Sequence, residues 1–330
     1  MKDNTGPLVS IIINNYNYAR FLPKAIETAL CQNYPQTEVL VVDDGSTDES
    51  REIILKQGCR IVPILQRNGG QASALNAGIA QSRGEVICFL DSDDFWYPDK
   101  VARVLEIFEK EGWDSKPMLV HHLLEILDQS TGEMTGRFMG NKHTSPQNLY
   151  DLARRYRFIP YAAGPTSSVS INRGLANLLF PLPEHRISAD DFVVLGASLV
   201  GELHSVNAVL GCYRVHDGNE WFTSDRRKSP EFVEAVDAYL NGKLLSNNRS
   251  PVISFYDSMY CWEALANEKR WLAMIRSMIK LVAVQRDALT LKFVYETIKV
   301  IFNKTPLRKY SVFRRFVEIT RPLRVRLLGW

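Results

Sequence analysis

The first hundred residues predict an α/β domain built on a largely parallel sheet, and three observations carry that expectation. Short apolar runs rich in β-branched residues recur there, each followed by a stretch with helical spacing. The order strand, helix, strand, helix repeats, as in sheets joined by right-handed crossovers. Three of the strands also end in small polar groups: Asn14–Tyr16, Asp43–Asp44 and Asp91–Asp93. Ligands of open α/β sheets bind outside the carboxyl ends of the strands, so these groups are expected to face one crevice.

The elements come in order along the chain. "LVSIIIN" (residues 8–14) suits a strand buried on both faces. "LPKAIETALCQ" places Leu22, Ala25, Ile26, Ala29 and Leu30 at helical spacing, with Pro23 in the first turn. "EVLVVDD" is a second buried strand, and "STDESREIILKQG" a helix with acids in its first turn and Gly58 near its end. "RIVPILQ" is a weaker strand that Pro63 assigns to an edge. "QASALNAGIAQSRG" reads as a small-residue helix, "EVICFLD" as the next strand and "YPDKVARVLEIFEKEG" as an amphipathic helix. Beyond Gly112 the pattern loosens. "PMLVHHLLEIL" is compatible with a strand or a short helix, and "TGEMTGRFMGNKHTSP" reads as a loop. "AAGPTSSVSINRG" suggests a turn running into a strand, and "GELHSVNAVLGCYRVHDGN" one or two short strands before a loop. From about Ser229 the periodicity is helical, so residues 1–225 and 226–330 are expected to form separate domains, the second α-helical.

A chain of 330 residues with 45% hydrophobic and 23% charged content excludes disordered and fibrous classes. Its five cysteines (Cys31, Cys59, Cys88, Cys212, Cys261) are odd in number and contain no CxxC pair. That points to a reducing cytoplasm without a disulfide framework or a zinc site. No basic segment leads into a long apolar one, and nowhere do eighteen apolar residues run uninterrupted, so neither signal peptide nor transmembrane helix is expected. The net charge of +3 hides an asymmetry: from Lys269 to Trp330 fifteen Lys and Arg face three acids, which leaves the preceding part at −9. Packed helices with solvated basic faces would account for this tail. So would an interfacial element that meets anionic headgroups at the inner face of the cell membrane. No nucleic-acid recognition motif accompanies the charge, so nucleic acid is not an expected partner.

Dehydrogenase and P-loop chemistry are excluded early, because no GxGxxG follows the first strand and no GxxxxGK[ST] occurs. "FLDSDD" instead sets Asp91 and Asp93 at a strand end, an arrangement that binds a divalent cation able to bridge a diphosphate. Carboxylate oxygens suit Mg²⁺ or Mn²⁺, and a cation would relieve the repulsion between them. Asp94 is expected to cap the next segment, toward "YPDK". A sugar nucleotidyltransferase shares the sheet, the carboxylates and Mg²⁺. It would need a glycine-rich basic loop after the first strand, where "NNYNYARFLPK" has none.

The spaced set "VSIIINNYNYARFLPKAIETALCQNYPQTEVLVVDDGSTDES", "NGGQASALNAGIAQSRGEVICFLDSDDFWYPDK" and "ADDFVV…YRVHDGN" resembles the family 2 glycosyltransferases of the GT-A fold. The resemblance is strong over residues 8–105, looser to about 220, and fades in the last hundred residues. It implies inverting transfer of a sugar from a nucleotide-diphosphate donor, most simply a UDP-sugar, with Mn²⁺ or Mg²⁺. Tyr16 then matches the aromatic that packs on the base, with Asn14 beside it; Asp44 matches the acid at the base edge, and Asp43 holds the loop or the ribose. Arg67, in the "RNGG" loop, and Asn76 match the segment near ribose and diphosphate. Asp93 matches the direct metal ligand, Asp91 a partner of ribose or metal, and His216 a histidine near metal and diphosphate. In "ADDF" the match gives Asp191 as the general base, with Asp190 where the family usually has Glu. Thr166 and Ser167 are expected on the acceptor side. The implied acceptor is a saccharide or lipid-linked saccharide, as in assembly of a bacterial surface polysaccharide such as O-antigen or capsule. The alternative is a nucleotide-sugar-binding module that kept the fold without the chemistry. Loss of the paired aspartates or the base would signal it, and this sequence retains both.

Overall fold

The computed structural model describes residues 6–140, 148–156, 163–184, 188–219 and 230–251. The helical periodicity expected beyond 251, the basic tail and Cys261 lie outside them. β1 (Val9–Asn15) sits between β2 (Thr37–Asp43) and β4 (Val86–Asp91), parallel to both. β3 (Val62–Leu65) adds in parallel outside β2, with Pro63 on the edge where a missing N–H costs no ladder bond. The crossovers are α1 (Leu22–Leu30), α2 (Ser50–Leu55) and α3 (Gln71–Gln81). The chain thus runs outward from β1 through β2 to β3, then returns to the other side of β1 as β4. That reversal opens a crevice at the carboxyl ends of β1 and β4. The register brings Asn14 opposite Asp91 and Asn15 opposite Asp43, so the polar strand ends arrive at one level.

The second half makes the sheet mixed. After β5 (Phe95–Trp96) and α4 (Lys100–Glu111) come β6 (Met118–Asp128) and β7 (Glu133–Met139). Then follow α5 (Tyr150–Tyr156), β8 (Val169–Asn172), α6 (Arg173–Leu179), α7 (Ala189–Val200) and β9 (Glu202–Val215). β8 is antiparallel to β4 and β6, β9 is parallel to β6, and β5 is antiparallel to β9 at the far edge. The order is β3-β2-β1-β4-β8-β6-β9-β5, with β7 beside β6. "PMLVHHLLEIL" resolves as a strand because β8 and β9 bond to it on either side. "GELHSVNAVLGCYRVH" is one strand of 14 residues, not two. "TGEMTGRFM", expected as loop, is the return strand of a hairpin; its polar composition is that of an exposed sheet edge.

Two layers of side chains flank the sheet. On one face Ile11, Ile13, Val41 and Leu90 pack with Leu22 and Ile26 of α1 and Val104 and Phe108 of α4. On the other, α3 approaches so closely that a Cβ on Gly78 would lie 2.5 Å from Ile12 Cγ2, which explains the small-residue composition of that helix. α8 (Pro230–Ser246) follows β9 in the described chain, and Tyr239 donates to the Leu179 carbonyl at 2.7 Å with its ring edge-on to Phe192. By compactness the chain divides into two units. Residues 1–151, 159–224 and 239–251 form the first; in the second the described residues, 152–156 and 230–238, are helical.

Candidate active site

Asp91 and Asn14, register neighbours, are joined by a 2.9 Å bond from Asn14 Nδ2 to Asp91 Oδ1. The same oxygen accepts from Gln71 Nε2 at 3.2 Å, and the Thr166 hydroxyl also bonds the carboxylate. Burial, then the charge of Asp93, push the Asp91 pKa well above the usual carboxylate range, with Asp190 adding to the rise; Asn14 and Thr166 pull the other way. Asp93 Oδ2 lies 3.1 Å from His216 Nε2 and accepts from Asn219 Nδ2 at 3.3 Å. Because the Gly218 N–H donates to His216 Nδ1 at 3.1 Å, the neutral ring carries its proton on Nε2 and donates it to Asp93. Tyr18 meets the imidazole edge-on at 5.5 Å and Phe21 packs on it at 4.7 Å.

Asp94 corrects an expectation. It does not cap α4, which begins behind Asp99. It is buried, accepts from Ser167 Oγ at 2.6 Å and from the Arg214 N–H at 2.9 Å, and burial with the charges of Asp93 and Asp91 raises its pKa strongly. Ser167, expected on the acceptor side, is likewise fully buried: its hydroxyl accepts from the Asp91 N–H and donates to Asp94, and its carbonyl holds Trp96 Nε1. It braces the acidic loop. Thr166 is also buried, one residue along the same 3₁₀ turn. Sequence reasoning missed Arg214, whose Nε donates to the Asp93 carbonyl at 2.8 Å while its guanidinium covers the rings of Phe21 and Phe95 at 4.9 and 5.4 Å. It supplies fixed positive charge beside the carboxylates. "YRVHDGN" contained the signal: an Arg two residues before the His, at the end of one strand, points to the same side.

At the other end of the crevice both carboxylates of "VVDD" bind protein. Asp43 accepts from Asn15 Nδ2, the Ser46 N–H and Arg51 Nε at 3.0, 3.1 and 2.9 Å. Asp44 accepts from Gln66 Nε2 and the Gly69 N–H on one oxygen and from the Gly70 N–H on the other, at 2.6, 2.9 and 2.7 Å. Asp44 therefore fixes the "RNGG" loop, and Gly45, at φ +81, passes so near that a Cβ would lie 2.6 Å from the Asn68 nitrogen. Tyr16 follows β1 with 43% of its surface exposed, and Arg67 is exposed on the loop. Asn76 does not join these residues. Both ends of its amide are taken by the backbone of Leu182, at 2.9 and 2.7 Å, so it clamps the segment after α6 instead.

Asp190 and Asp191 occupy the first turn of α7, where the helix dipole favours negative charge. Asp190 is buried and within electrostatic reach of Asp91; Asp191 is half-buried. Gln71, also missed from sequence, ties this turn to the strand ends: its Oε1 accepts from the Ala189 N–H at 3.0 Å.

The donor set expected for a cation is Asp93, His216 and Asp91. Among the described residues no group of three or more His, Cys, Asp or Glu closes around a single point. By chemistry alone, two carboxylates and an imidazole 3.1 Å from one of them fit a divalent ion that takes few protein ligands and completes its shell with phosphate and water, once the His216 proton sits on Nδ1 instead of Nε2. No described helix is long and apolar enough to cross a membrane.

The model of "Glycosyl transferase family 2" matches residues 10–115. An uncharacterized glycosyltransferase from Nostoc sp. is 34% identical over 258 residues, 72% of this chain and 76% of that protein. The putative teichuronic acid biosynthesis glycosyltransferase TuaG of Bacillus subtilis is 39% identical over 108 residues, 31% of this chain and 42% of its own length, so the chain spans less than half of that relative. Among solved structures, S. aureus TarS 1-349 in complex with UDP-GlcNAc superposes with a TM-score of 0.56 at 18% identity, covering 91% of this chain and 82% of that one, which shows the GT-A fold. Fold, family match and the long Nostoc alignment agree: the chain belongs to glycosyl transferase family 2 and is a glycosyltransferase.

Proposed function

We propose that the protein is an inverting glycosyltransferase that takes a nucleotide-diphosphate sugar, a UDP-sugar first among them, and acts in bacterial surface polysaccharide synthesis. The observation that carries this is the meeting of Asp91, Asp93 and His216 with the first turn of α7, which bears Asp190 and Asp191. Tyr16 offers an exposed ring on which a base stacks, worth ~1–3 kcal/mol. Asn14 orients Asp91 toward ribose or metal, and Arg67 stands beside the diphosphate on the loop that Asp44 holds. Asp43 and Asp44 reach the nucleotide through the loops they shape, Asp44 with the base edge near it.

Asp93 and His216, with Asp91, would hold Mn²⁺ or Mg²⁺, which when bound offsets the charge on the departing diphosphate. Asp191 takes the proton of the acceptor hydroxyl as its oxygen bonds to C1 of the sugar. The C1–O bond to the β-phosphate breaks from the opposite face, and the nucleoside diphosphate leaves with the electron pair. Asp190, more buried and within electrostatic reach of Asp91, would act on the donor side of the same turn. The acceptor is a saccharide or lipid-linked saccharide presented at the cytoplasmic membrane face, a reading supported by what the name of TuaG says of that relative and by the basic composition after Lys269. Residues 226–330 would then serve as a membrane-facing region and 1–225 as the catalytic one.

A panel of UDP-, GDP- and dTDP-sugars with Mn²⁺, Mg²⁺ or EDTA tests this. Metal-dependent release of one nucleotide, with inversion at C1 seen by NMR, is the expected result. Turnover of none of them, in a folded sample, would return the protein to the binding-module reading.

A further inference from the structure

Gln71 is the first residue of α3 and makes three side-chain contacts with three different segments. Its Nε2 donates to Asp91 Oδ1 at 3.2 Å and approaches Thr166 Oγ1 at 3.4 Å, while its Oε1 accepts the Ala189 N–H at 3.0 Å. The orientation of the amide is fixed by its partners: a backbone N–H can only donate, so the oxygen must face Ala189 and the NH₂ must face the carboxylate. A neutral amide is the group that fits. Its negative end satisfies one of the orphan donors at the start of α7, and its positive end lies against the acidic strand ends. Glu would repel Asp91, and Lys could not accept from Ala189.

Gln71 also directly follows the two glycines whose N–H groups Asp44 binds. A continuous path therefore runs from Asp44 through Gly69 and Gly70 to Gln71, and from there to both Asp91 and the turn bearing Asp190 and Asp191. We propose that Gln71 is a positioning residue that sets the first turn of α7, and with it the base, relative to the donor-side carboxylate Asp91. This rests on the glycosyl-transfer reading for its catalytic meaning, while the mechanical link itself does not. Misplacing a catalytic group by about 1 Å costs on the order of 10²-fold in rate, so the link acts on turnover more than on donor binding.

Two variants separate the arms. Gln71→Met removes both; Gln71→Glu keeps an acceptor for Ala189 but sets a like charge against Asp91. Hydrogen exchange at the amides of 189–191, with and without UDP and Mn²⁺, is read beside kcat and KM for the donor that wild type hydrolyses. Expected for Gln71→Met are a drop in kcat of about 10²-fold with KM changed by less than about threefold, faster exchange at Ala189, and loss of any slowing by UDP and Mn²⁺ at 189–191. Gln71→Glu should keep Ala189 protected yet still lose kcat. Wild-type kcat in Gln71→Met, or a loss confined to KM, would overturn the proposal. Should wild type hydrolyse no donor, the functional reading fails and exchange alone decides: equal exchange at 189–191 in wild type and Gln71→Met overturns the link, and faster exchange in the variant supports it.

Discussion

His216 gives its Nε2 proton to Asp93 at 3.1 Å because its other nitrogen is already occupied by the Gly218 N–H. The ring therefore takes the Nε2–H tautomer, and ligation of a cation by Nε2 would move that proton to Nδ1 at the expense of the Gly218 bond. Replacing Asp93 by Ala should remove the centre of that arrangement. We expect turnover of the nucleotide-sugar to fall by about 10²–10³-fold, and EDTA to abolish wild-type turnover until Mn²⁺ or Mg²⁺ is restored. Steady-state rates with and without chelator measure both. EDTA-insensitive turnover would sink the metal assignment.

The two acids of α7 should behave differently. Asp191→Asn should lower kcat by about 10²–10⁴-fold with little change in donor KM, as for loss of a general base. Asp190→Asn, on the more buried side near Asp91, should act on donor KM as well. A kcat loss confined to Asp190→Asn would reassign the base.

Asn76→Ala should destabilise without touching donor affinity. The change leaves the N–H and carbonyl of Leu182 without their amide partner, at a cost of about 1–3 kcal/mol. Denaturant melts and calorimetric titration with UDP and Mn²⁺ give the two numbers. A large loss of UDP affinity at unchanged stability would put Asn76 back at the nucleotide.

Stability should fall in acid partly through His122. Burial, reinforced by the nearby positive charge of Lys100, depresses its folded-state pKa to about 3, against an ordinary value near 6.5. The unfolded chain then binds a proton that the folded one refuses, so this contribution is intact above about pH 6.5 and is lost progressively as pH falls toward 3. Its Nδ1 donates to the Leu123 carbonyl at 2.9 Å, a bond that Gln can keep. His122→Gln should therefore flatten the decline in denaturation midpoint between pH 6.5 and 4; an unchanged slope would assign the acid sensitivity elsewhere.

Arg214→Lys should cost about 1–3 kcal/mol, because an ammonium cannot reach the Asp93 carbonyl and Gln129 while lying flat on Phe21 and Phe95. Thermal denaturation reads this directly, and a wild-type midpoint would mean that the fork geometry is dispensable.

The parallel half of the fold was legible because its strands are buried on both faces and therefore read as nearly continuous apolar runs: Val9 to Ile13, broken only by Ser10, and Val86 to Leu90. The place of Asp91 at the end of β4, with Asp93 two residues beyond it, was legible through the apolar run before them. What escaped depends on pairing between distant segments. Gln71 looks like an ordinary helix-start residue until Ala189, 118 positions away, is brought to it. Asp94 resembles a cap until Ser167 and Arg214 enclose it. β7 is exposed on nearly every residue, so no hydrophobic alternation marks it as a strand.

The pairing of β5 with β9 also bears on the order in which the protein becomes competent during synthesis. Phe95 and Trp96, just after the acidic loop, bond to Cys212 and Gly211, and Asp93 meets His216 across 123 residues. Contacts of such long range form late, since loop closure must precede them. A nascent chain ending short of β9 can complete the β1–β4 sheet but leaves β5 without its partner strand and Asp93 without His216. The stretch that carries the family signature, residues 10–115, therefore cannot by itself finish the site it announces.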